Sequence, residues 1–424
     1  MQALVLAAGK GTRMKSDRPK VLHEAFGRPV LDYVLETLAA AGMTRPKVVV
    51  GSGAERVREY LKEKARSSRI KAVALLQREQ KGTGHAVMIA RSALKPDGGD
   101  ILIWPGDMPL LRIDTIREFI RLHKQSGADA SVLSSLQIDP AGYGRILRSG
   151  GRFYAIREEL DATEAERRIQ EVNSGIYLFK PACLFGALRR IGSQNQKGEY
   201  YLTDTIEVLA KEGKHLEAFP LALPAEAQGI NSRQHLADVM SEINQREIRK
   251  HQASGVTFMA PDQTFVAPGV KIGKDTTVYP WCYIETGVEI GSGCEIGPFA
   301  KIRKGTRVGD DSIVGSFVEV NRSKLGRKVF AKHLTYLGDA VVGDGTNIGA
   351  GTITANFDGK DKHPTRIGKK VFVGSDTVFV APVTVGDGAK TGAGAVLTRG
   401  SKVRKGDVVV GVPAKSISFR KKVR

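Results

Sequence analysis

The apolar run Leu4-Val5-Leu6-Ala7-Ala8 passes directly into Gly9-Lys10-Gly11-Thr12-Arg13-Met14, and another cation follows in Pro19-Lys20-Val21-Leu22. Glycines in such a turn let backbone amides approach an anion, while Lys10, Arg13 and Lys20 supply positive charge, so the pattern suits a phosphate. The spacing excludes two better-known phosphate loops. It lacks G-x-x-x-x-G-K-[ST], and Met14 stands where a dinucleotide fingerprint needs a third Gly or Ala. A glycine turn after a strand is weak evidence alone, and Lys20 is what sharpens it. Far along the chain, His333 stands in His333-Leu334-Thr335-Tyr336. An imidazole titrates near neutrality and can move a proton, but a loop histidine is ordinarily just solvated. Cys183, Cys282 and Cys294 have no zinc spacing and are too few for a disulfide framework, so packing is their expected role.

The elements that must hold these residues read clearly. Residues 1–231 alternate short apolar strands with helical stretches: Ala3–Leu6, Pro29–Ala40, Lys47–Val50, Ala54–Lys64, Ala72–Leu76, Gly84–Ala93 and Asp100–Trp104. That alternation predicts an α/β domain, a mainly parallel Rossmann-like sheet with helices on both faces and ligands beyond the carboxyl ends of its strands. Residues 232–255 form a linker, with Arg233 to Ala253 reading as a polar helix of mechanical role. From 256 to 424 the pattern changes. Val266, Ile272, Val278, Ile284, Ile290, Ile296, Ile302, Val308, Val314 and Val320 recur every six residues, and the beat returns from Ile367 through Val373, Phe379 and Val385 to Val409. Neither a helix nor an alternating strand has this period; a parallel β-helix of hexapeptide repeats does. Cys282 and Cys294, two repeats apart, should fall on different faces of its three-sided coil. The beat fails between Val320 and Val342 and between Thr354 and Ile367. Both interruptions read as loops inserted on one face, which in solenoids is often the binding face.

Composition narrows the partners. The 424 residues are 41% hydrophobic and 26% charged, as in a soluble globular protein. No apolar run approaches the ~20 residues of a membrane span. The apolar start breaks at Gly9 without a basic leader, so it is not a signal peptide, and membrane insertion is not expected. The formal net charge is +20, with a basic tail Phe419–Arg424. Polyanionic small molecules fit that charge, and so does a solvated basic surface. At 6% aromatic content, with no stacking platform among the basic residues, nucleic-acid binding is not expected.

The combination Gly9-x-Gly11-Thr12-Arg13 with Pro19-Lys20 resembles the signature of sugar-1-phosphate nucleotidylyltransferases. The longer text, Leu4 to Gly9 and Lys20-Val21-Leu22-His23, is similar to the bifunctional N-acetylglucosamine-1-phosphate uridylyltransferase and glucosamine-1-phosphate acetyltransferase family of bacterial cell-wall synthesis. That family also ends in a left-handed β-helix, so the resemblance covers nearly the whole chain and supplies the handedness. It implies that Leu6, Ala7, Gly9, Gln77, Gly82 and Thr83 bind the nucleotide, with Gln77 and Gln80 reading uracil. Asp107, in Gly106-Asp107, and Asn231, in Gly229-Ile230-Asn231, would hold Mg²⁺, although a single Asp behind a strand is commonly a cap or turn. Gly144, Glu158 and Asn173 would hold the acceptor sugar. The implied chemistry is in-line attack of a sugar-1-phosphate oxygen on the α-phosphate of UTP, expelling pyrophosphate. It needs no general base, only positioning and charge neutralisation by Mg²⁺, Lys20 and Arg13.

In the β-helix the resemblance implies that His333 is the general base for an amine, with Glu319 orienting it. Arg303, Asn321 and Lys362 would meet the acceptor phosphate, and Tyr336, Asn347 and Asn356 would line the acceptor site. Ala350, Ser375 and Ala393 would line the acetyl-CoA site, with the Ser375 amide facing the thioester oxygen. The chain departs from the family at Asn321, where a Lys is usual, at Phe357 and Pro105, where Tyr is frequent, and at its end, Val410 to Lys415, which lacks the usual CoA-binding Arg. The expectations are therefore a cytoplasmic bifunctional enzyme, assembled as a homotrimer because three flat faces pack around a threefold axis. One alternative is a nucleotidylyltransferase whose β-helix only oligomerises. Another is a non-enzymatic subunit like those of a translation-factor exchange complex, which Lys20, Asp107 and Asn231 argue against.

Overall fold

A computed structural model describes residues 1–417, so the basic tail Phe419–Arg424 lies outside the described residues. The chain divides into two compact units, Met1–Glu242 and the remainder from Ile243. The dividing point falls inside one helix, Arg233–Ala253.

Period-two burial builds the first unit. In the strand Gln2–Ala7, Ala3, Val5 and Ala7 face one core while Leu4 faces the other. The sheet order is Leu216–Pro220, Ala130–Leu136, Glu171–Phe179, Ile101–Pro105, Gln2–Ala7, Lys47–Val50, Val73–Leu76. Glu171–Phe179 runs antiparallel to both neighbours, and every other adjacent pair on this path is parallel. Helices Val30–Ala40, Ala54–Ser67 and Ile113–Ser126 cover one face through Leu31, Leu35, Val57 and Phe119. Helices Thr83–Ala90, Pro181–Leu188 and Asp204–Lys211 cover the other through Val87, Leu184 and Ile206. Burying each such side chain stabilises by about 1.5–3 kcal/mol, so both faces are firmly held. Leu6 pairs with Pro105, and the Gly106 amide donates to the Leu6 carbonyl at 2.8 Å. The loops after these two strands therefore open at the same edge of the sheet.

The second unit is a left-handed parallel β-helix. Its three faces are stacks of 10, 8 and 8 short strands, beginning with Thr257–Phe258, Phe265–Val266 and Lys271–Ile272. Every residue of the six-beat is buried, from Val266 to Val320 and from Ile367 to Val409. Corner hydroxyls satisfy the backbone between coils: Thr276 Oγ1 donates to the Gly291 carbonyl at 2.8 Å and accepts from the Cys294 amide at 3.0 Å. Cys282 precedes a strand of the second face and Cys294 one of the first, as their spacing implied, and both are buried. At the start of the coil, buried Asn244 donates to the Thr264 carbonyl at 2.7 Å and accepts from the Val266 amide at 2.8 Å.

The first interruption of the beat is not an inserted loop. Val320 pairs with Leu337, and Leu325 with Val342, so these coils have lost one residue at a corner while the stack continues. His333 accordingly ends a strand, Phe330–His333, and pairs with Ser316. The second interruption is a true insertion. Thr354 pairs with Phe379, and the added residues form a short turn closed by an antiparallel bridge between Phe357 and Lys362.

Candidate functional site

In the first unit a cavity of about 480 Å³ opens where the strands Gln2–Ala7 and Ile101–Pro105 end. Leu6, Ala7, Gly9, Arg13, Lys20, Gln77, Gly82, Thr83, Asp107 and Asn231 all line it, with Gln80 and Pro105. The local fold explains why they meet. Gly11 has φ +62°, and a Cβ there would sit 2.9 Å from Lys20 Cβ, so glycine lets the loop close on the lysine. Met14, Val21 and Leu22 are buried and anchor the chain on either side of the cations. The Ile230 amide donates to the Asp107 carbonyl at 2.9 Å, which docks the Gly229–Asn231 turn against the Gly106–Asp107 turn. Lys20 Nζ forms a close ion pair with Asp107 and donates to Asn231 Oδ1 at 3.1 Å. Gln77 Nε2 donates to the Gly82 carbonyl at 3.2 Å, which fixes the amide at the cavity wall.

Gly144, Glu158 and Asn173 do not line this cavity but gather nearby, with Glu158 bonded to the strap Glu199–Asp204. The Asn173 amide donates to the Gly144 carbonyl at 2.8 Å. Its side chain is held at both ends, donating to Tyr177 Oη at 2.7 Å and accepting from the Gly175 amide at 2.8 Å. Glu158 accepts from Thr203 Oγ1 at 3.0 Å. Burial pushes its carboxyl above the usual range, and the Thr203 hydroxyl opposes that shift. Neighbouring Asp204 is pushed up to about 6, by burial first and then by the charge of Glu158.

The segment Glu199–Asp204, which no motif in the sequence marks, joins the two groups. Glu199 lines the cavity, the Tyr200 carbonyl accepts from Gly84 at 2.8 Å, and the Leu202 amide donates to Thr83 Oγ1 at 3.0 Å. A signal existed. Thr203 stands at the N-cap of Asp204–Lys211, but its hydroxyl serves Glu158 instead of capping the helix.

In the β-helix the predicted residues gather at two corners. Ala350, Ser375 and Ala393 lie in one column above His333. The Gly351 amide donates to the Leu334 carbonyl at 3.1 Å, Asp376 to Ala350 at 2.7 Å, and Gly394 to Ser375 at 2.8 Å. A Cβ at Gly349 would fall 2.5 Å from the Ser375 nitrogen, so the upper corner packs backbone against backbone. Asn347 lies on the adjoining first face, paired with Phe330. Below His333 the same corner carries Trp281, Phe299 and Phe317, stacked at 4.8 and 4.9 Å with interplanar angles of 12° and 2°.

The second corner holds the rest. The Arg303 amide donates to the Val320 carbonyl at 2.8 Å, so Arg303 stacks directly under Asn321. Arg322 donates to Asn321 Oδ1 at 3.1 Å and grips Asp339 through Nε and Nη2, both at 2.7 Å. Asp339 also accepts from Asn356, and Tyr336 Oη and Asn356 Nδ2 crowd the Cα of Gly338. These contacts hold the Asp339 carboxyl below its usual range, the Arg322 hydrogen bond first. Lys362 stands on the inserted turn, which Asp358 orders by accepting from the amides of Asp361 and Lys360 at 2.7 and 3.0 Å. The chain does not bring Glu319 to His333. Glu319 accepts from Arg303 Nη1 at 3.1 Å, and the His333 imidazole has no hydrogen-bond partner among the described residues. Lys324 faces outward on the third face.

A glycine-loop nucleotide cavity on a Rossmann-like sheet, followed by a hexapeptide β-helix, defines a nucleotidyltransferase joined to a hexapeptide transferase. The MobA-like NTP transferase domain family matches residues 3–196, and the bacterial transferase hexapeptide (six repeats) family matches residues 269–304, 287–322 and 364–399. The chain is 43% identical to the bifunctional protein GlmU of Pelotomaculum thermopropionicum, over 90% of each chain. It is 42% identical to the proteins of that name from Heliobacterium modesticaldum, over 94% of this chain and 93% of the other, and Geobacter sulfurreducens, over 94% of each. The chain belongs to the family of bifunctional GlmU proteins, and it is an enzyme.

Proposed function

We propose that this protein makes UDP-N-acetylglucosamine in two steps. The β-helix transfers acetyl from acetyl-CoA to the amine of glucosamine-1-phosphate, and the N-terminal unit then transfers uridylyl from UTP to the resulting sugar phosphate, releasing pyrophosphate. The convergence of the glycine loop, Lys20, Asp107 and Asn231 on one cavity carries the reading. The bifunctional name of the relatives, and a β-helix with His333 at one corner and an ordered insertion at the next, favour it over a scaffold that only oligomerises.

Uridylyl transfer follows from the cavity's chemistry. The acceptor phosphate is already ionised, so the residues need only align it and spread the developing charge. Backbone amides of the Gly9–Arg13 loop, with Lys20 and Arg13, receive the triphosphate. Gln77 reads the base, and Gly144, Asn173 and Glu158 take the sugar. Asp107 and Asn231 turn one carboxylate and one carboxamide oxygen onto a single cation, Lys20, a donor set that also fits Mg²⁺. When bound, Mg²⁺ neutralises charge on the phosphates.

For acetyl transfer, His333 removes the proton of the acceptor amine as its nitrogen attacks the thioester carbonyl; the C–S bond then breaks, and CoA leaves as the thiol with that proton. The small-residue column of Ala350, Ser375 and Ala393 leaves room for the CoA arm, and the Ser375 amide receives the thioester oxygen. Arg303, Lys362 and the Tyr336–Asn356 pair hold the sugar phosphate. Glu319 acts through Arg303. The homotrimer is supported by the exposed ring stack of Trp281, Phe299 and Phe317, a surface suited to another copy. Its substrates assign the work to the cytoplasm, and no helix among the described residues is long and apolar enough to cross a membrane.

The test is incubation with glucosamine-1-phosphate, acetyl-CoA, UTP and Mg²⁺, omitting each in turn. Full mixture gives UDP-N-acetylglucosamine; without UTP, acetylated sugar phosphate accumulates. Uridylyl transfer to supplied N-acetylglucosamine-1-phosphate with no acetyl transfer under any condition would establish the scaffold alternative instead.

A further inference from the structure

Lys20 occupies an unexpected place. Among the described residues its ammonium bonds to no group of the glycine loop, where a triphosphate would lie. It sits between the Asp107 carboxylate and Asn231 Oδ1. All three groups are mostly enclosed, with the Lys20 and Asp107 side chains 16% and 14% exposed. We infer that Lys20 is the placeholder of the metal position in the nucleotide-free protein, so that a divalent cation and the nucleotide phosphates enter together. The inference rests on the reading of Asp107 and Asn231 as the metal's ligands.

Three observations support it. First, the same two oxygens cannot serve an ammonium and a divalent cation at once. Like charges a few ångströms apart in a partly enclosed site repel strongly. Second, the protein supplies too little to overcome that repulsion unaided. Among the described residues no group of three or more His, Cys, Asp or Glu could hold a metal, and this site offers one carboxylate and one amide. Mg²⁺ prefers six oxygens and usually takes several from phosphates and water. Third, the alternative seat for the ammonium is close. Lys20 starts a one-turn helix, Lys20–Leu22, with Val21 and Leu22 buried, so its Cα is fixed. Gly11 packs against its Cβ, leaving the side chain beside the Gly9–Arg13 loop. A triphosphate in that loop offers Lys20 a stronger partner than Asp107, and rotation of the side chain frees the two oxygens. The exchange keeps Asp107 neutralised in both states, by the lysine before nucleotide arrives and by the cation afterwards.

Mn²⁺ serves as probe, with its unbound fraction read by electron paramagnetic resonance. In the nucleotide-free full chain, Lys20→Met should tighten Mn²⁺ binding at least tenfold over the native protein. Lys20→Arg, which keeps the charge, should not tighten it, and Lys20→Met with Asp107→Ala should lose the gain. Unchanged affinity in a Lys20→Met protein that melts like the native chain overturns the inference. If Lys20→Met does not fold, crystals of the native protein decide. Anomalous scattering from Mn²⁺ between Asp107 and Asn231 should appear only in crystals that also hold UDP-N-acetylglucosamine; a peak there without nucleotide overturns the placeholder. Failure of the underlying reading looks different: no Mn²⁺ at Asp107 even with nucleotide, and Asp107→Ala without effect on Mn²⁺ affinity in the nucleotide complex.

Discussion

His333 and Asn321 carry opposite kinds of information about the acetyl site. His333 is exposed at the end of its strand with an imidazole that no described residue holds, so removing it should cost the fold little. His333→Ala should therefore fold normally and cut acetyl transfer by about 10²–10⁴-fold, the usual worth of general acid–base catalysis, while uridylyl transfer is unchanged. A rate within tenfold of the parent would remove His333 as the base. Asn321 is buried, stacks over Arg303, and accepts from an Arg322 that Asp339 already grips. The backbones of positions 303 and 321 lie one strand spacing, ~4.8 Å, apart, so a lysine at 321 would project beside Arg303 and could add a second cation to the phosphate grip. Asn321→Lys should lower KM for glucosamine-1-phosphate by roughly twofold to fivefold, the scale of a partly screened ion pair, and Arg322→Ala should raise it. If steady-state kinetics show neither change, position 321 does not contact the acceptor phosphate.

At the scale of elements, what the sequence disclosed depended on whether the signal was local. The β-helix was legible because a buried branched residue every sixth position is written continuously, and the glycine loop because it follows its strand directly. The corner contractions before Leu325 and Val342 were misread as a loop because a count by six cannot see a one-residue change of phase, whereas the register shows the coil unbroken. The strap Glu199–Asp204 escaped for a different reason. Its meaning depends on Glu158 and Thr83, distant in sequence and adjacent only after folding. The strap also stores a pH response. Asp204 has its pKa raised from 3.8 to about 6, so in the folded state ionisation is opposed. A carboxyl shifted upward costs stability once ionised; the cost is absent below about pH 4 and grows as pH rises through 6. Asp204 remains partly solvated, which reduces the penalty to ~1 kcal/mol. Asp204→Asn should thus raise the unfolding temperature of the N-terminal unit by roughly 2–4 °C at pH 7.5 and hardly at all at pH 4. Equal melting of the two proteins at both pH values would contradict the shift.

On the β-helix, one face gathers basic side chains and one corner gathers exposed rings. The third face of the β-helix turns Lys271, Arg307, Lys324, Arg366 and Lys402 outward, which accounts for part of the net charge of +20 without any polyanionic partner. The corner between the first and second faces instead exposes Trp281, Phe299, Phe317 and Leu334, at 52%, 42%, 58% and 63%. Water-exposed stacked rings on one edge of a rod suit a contact that repeats around a threefold axis, and this edge leads straight to His333. The uridylyl cavity lies in the other compact unit, so the two activities should separate cleanly. Asp107→Ala should abolish UDP-sugar formation and spare acetyl transfer; loss of both in a folded protein would refute two independent sites. Surface rather than chemistry is tested by the double substitution Phe299→Asp with Phe317→Asp. Both rings project outward at a corner, so the coil beneath them should keep its fold, with circular dichroism and melting close to the native chain. Carboxylates packed against a neighbour would be desolvated without a partner, a cost large enough to open an interface. Sedimentation velocity should therefore show trimer giving way to monomer, with acetyl transfer falling alongside and uridylyl transfer retained. A trimer that survives the substitution would move the seam to another edge of the rod.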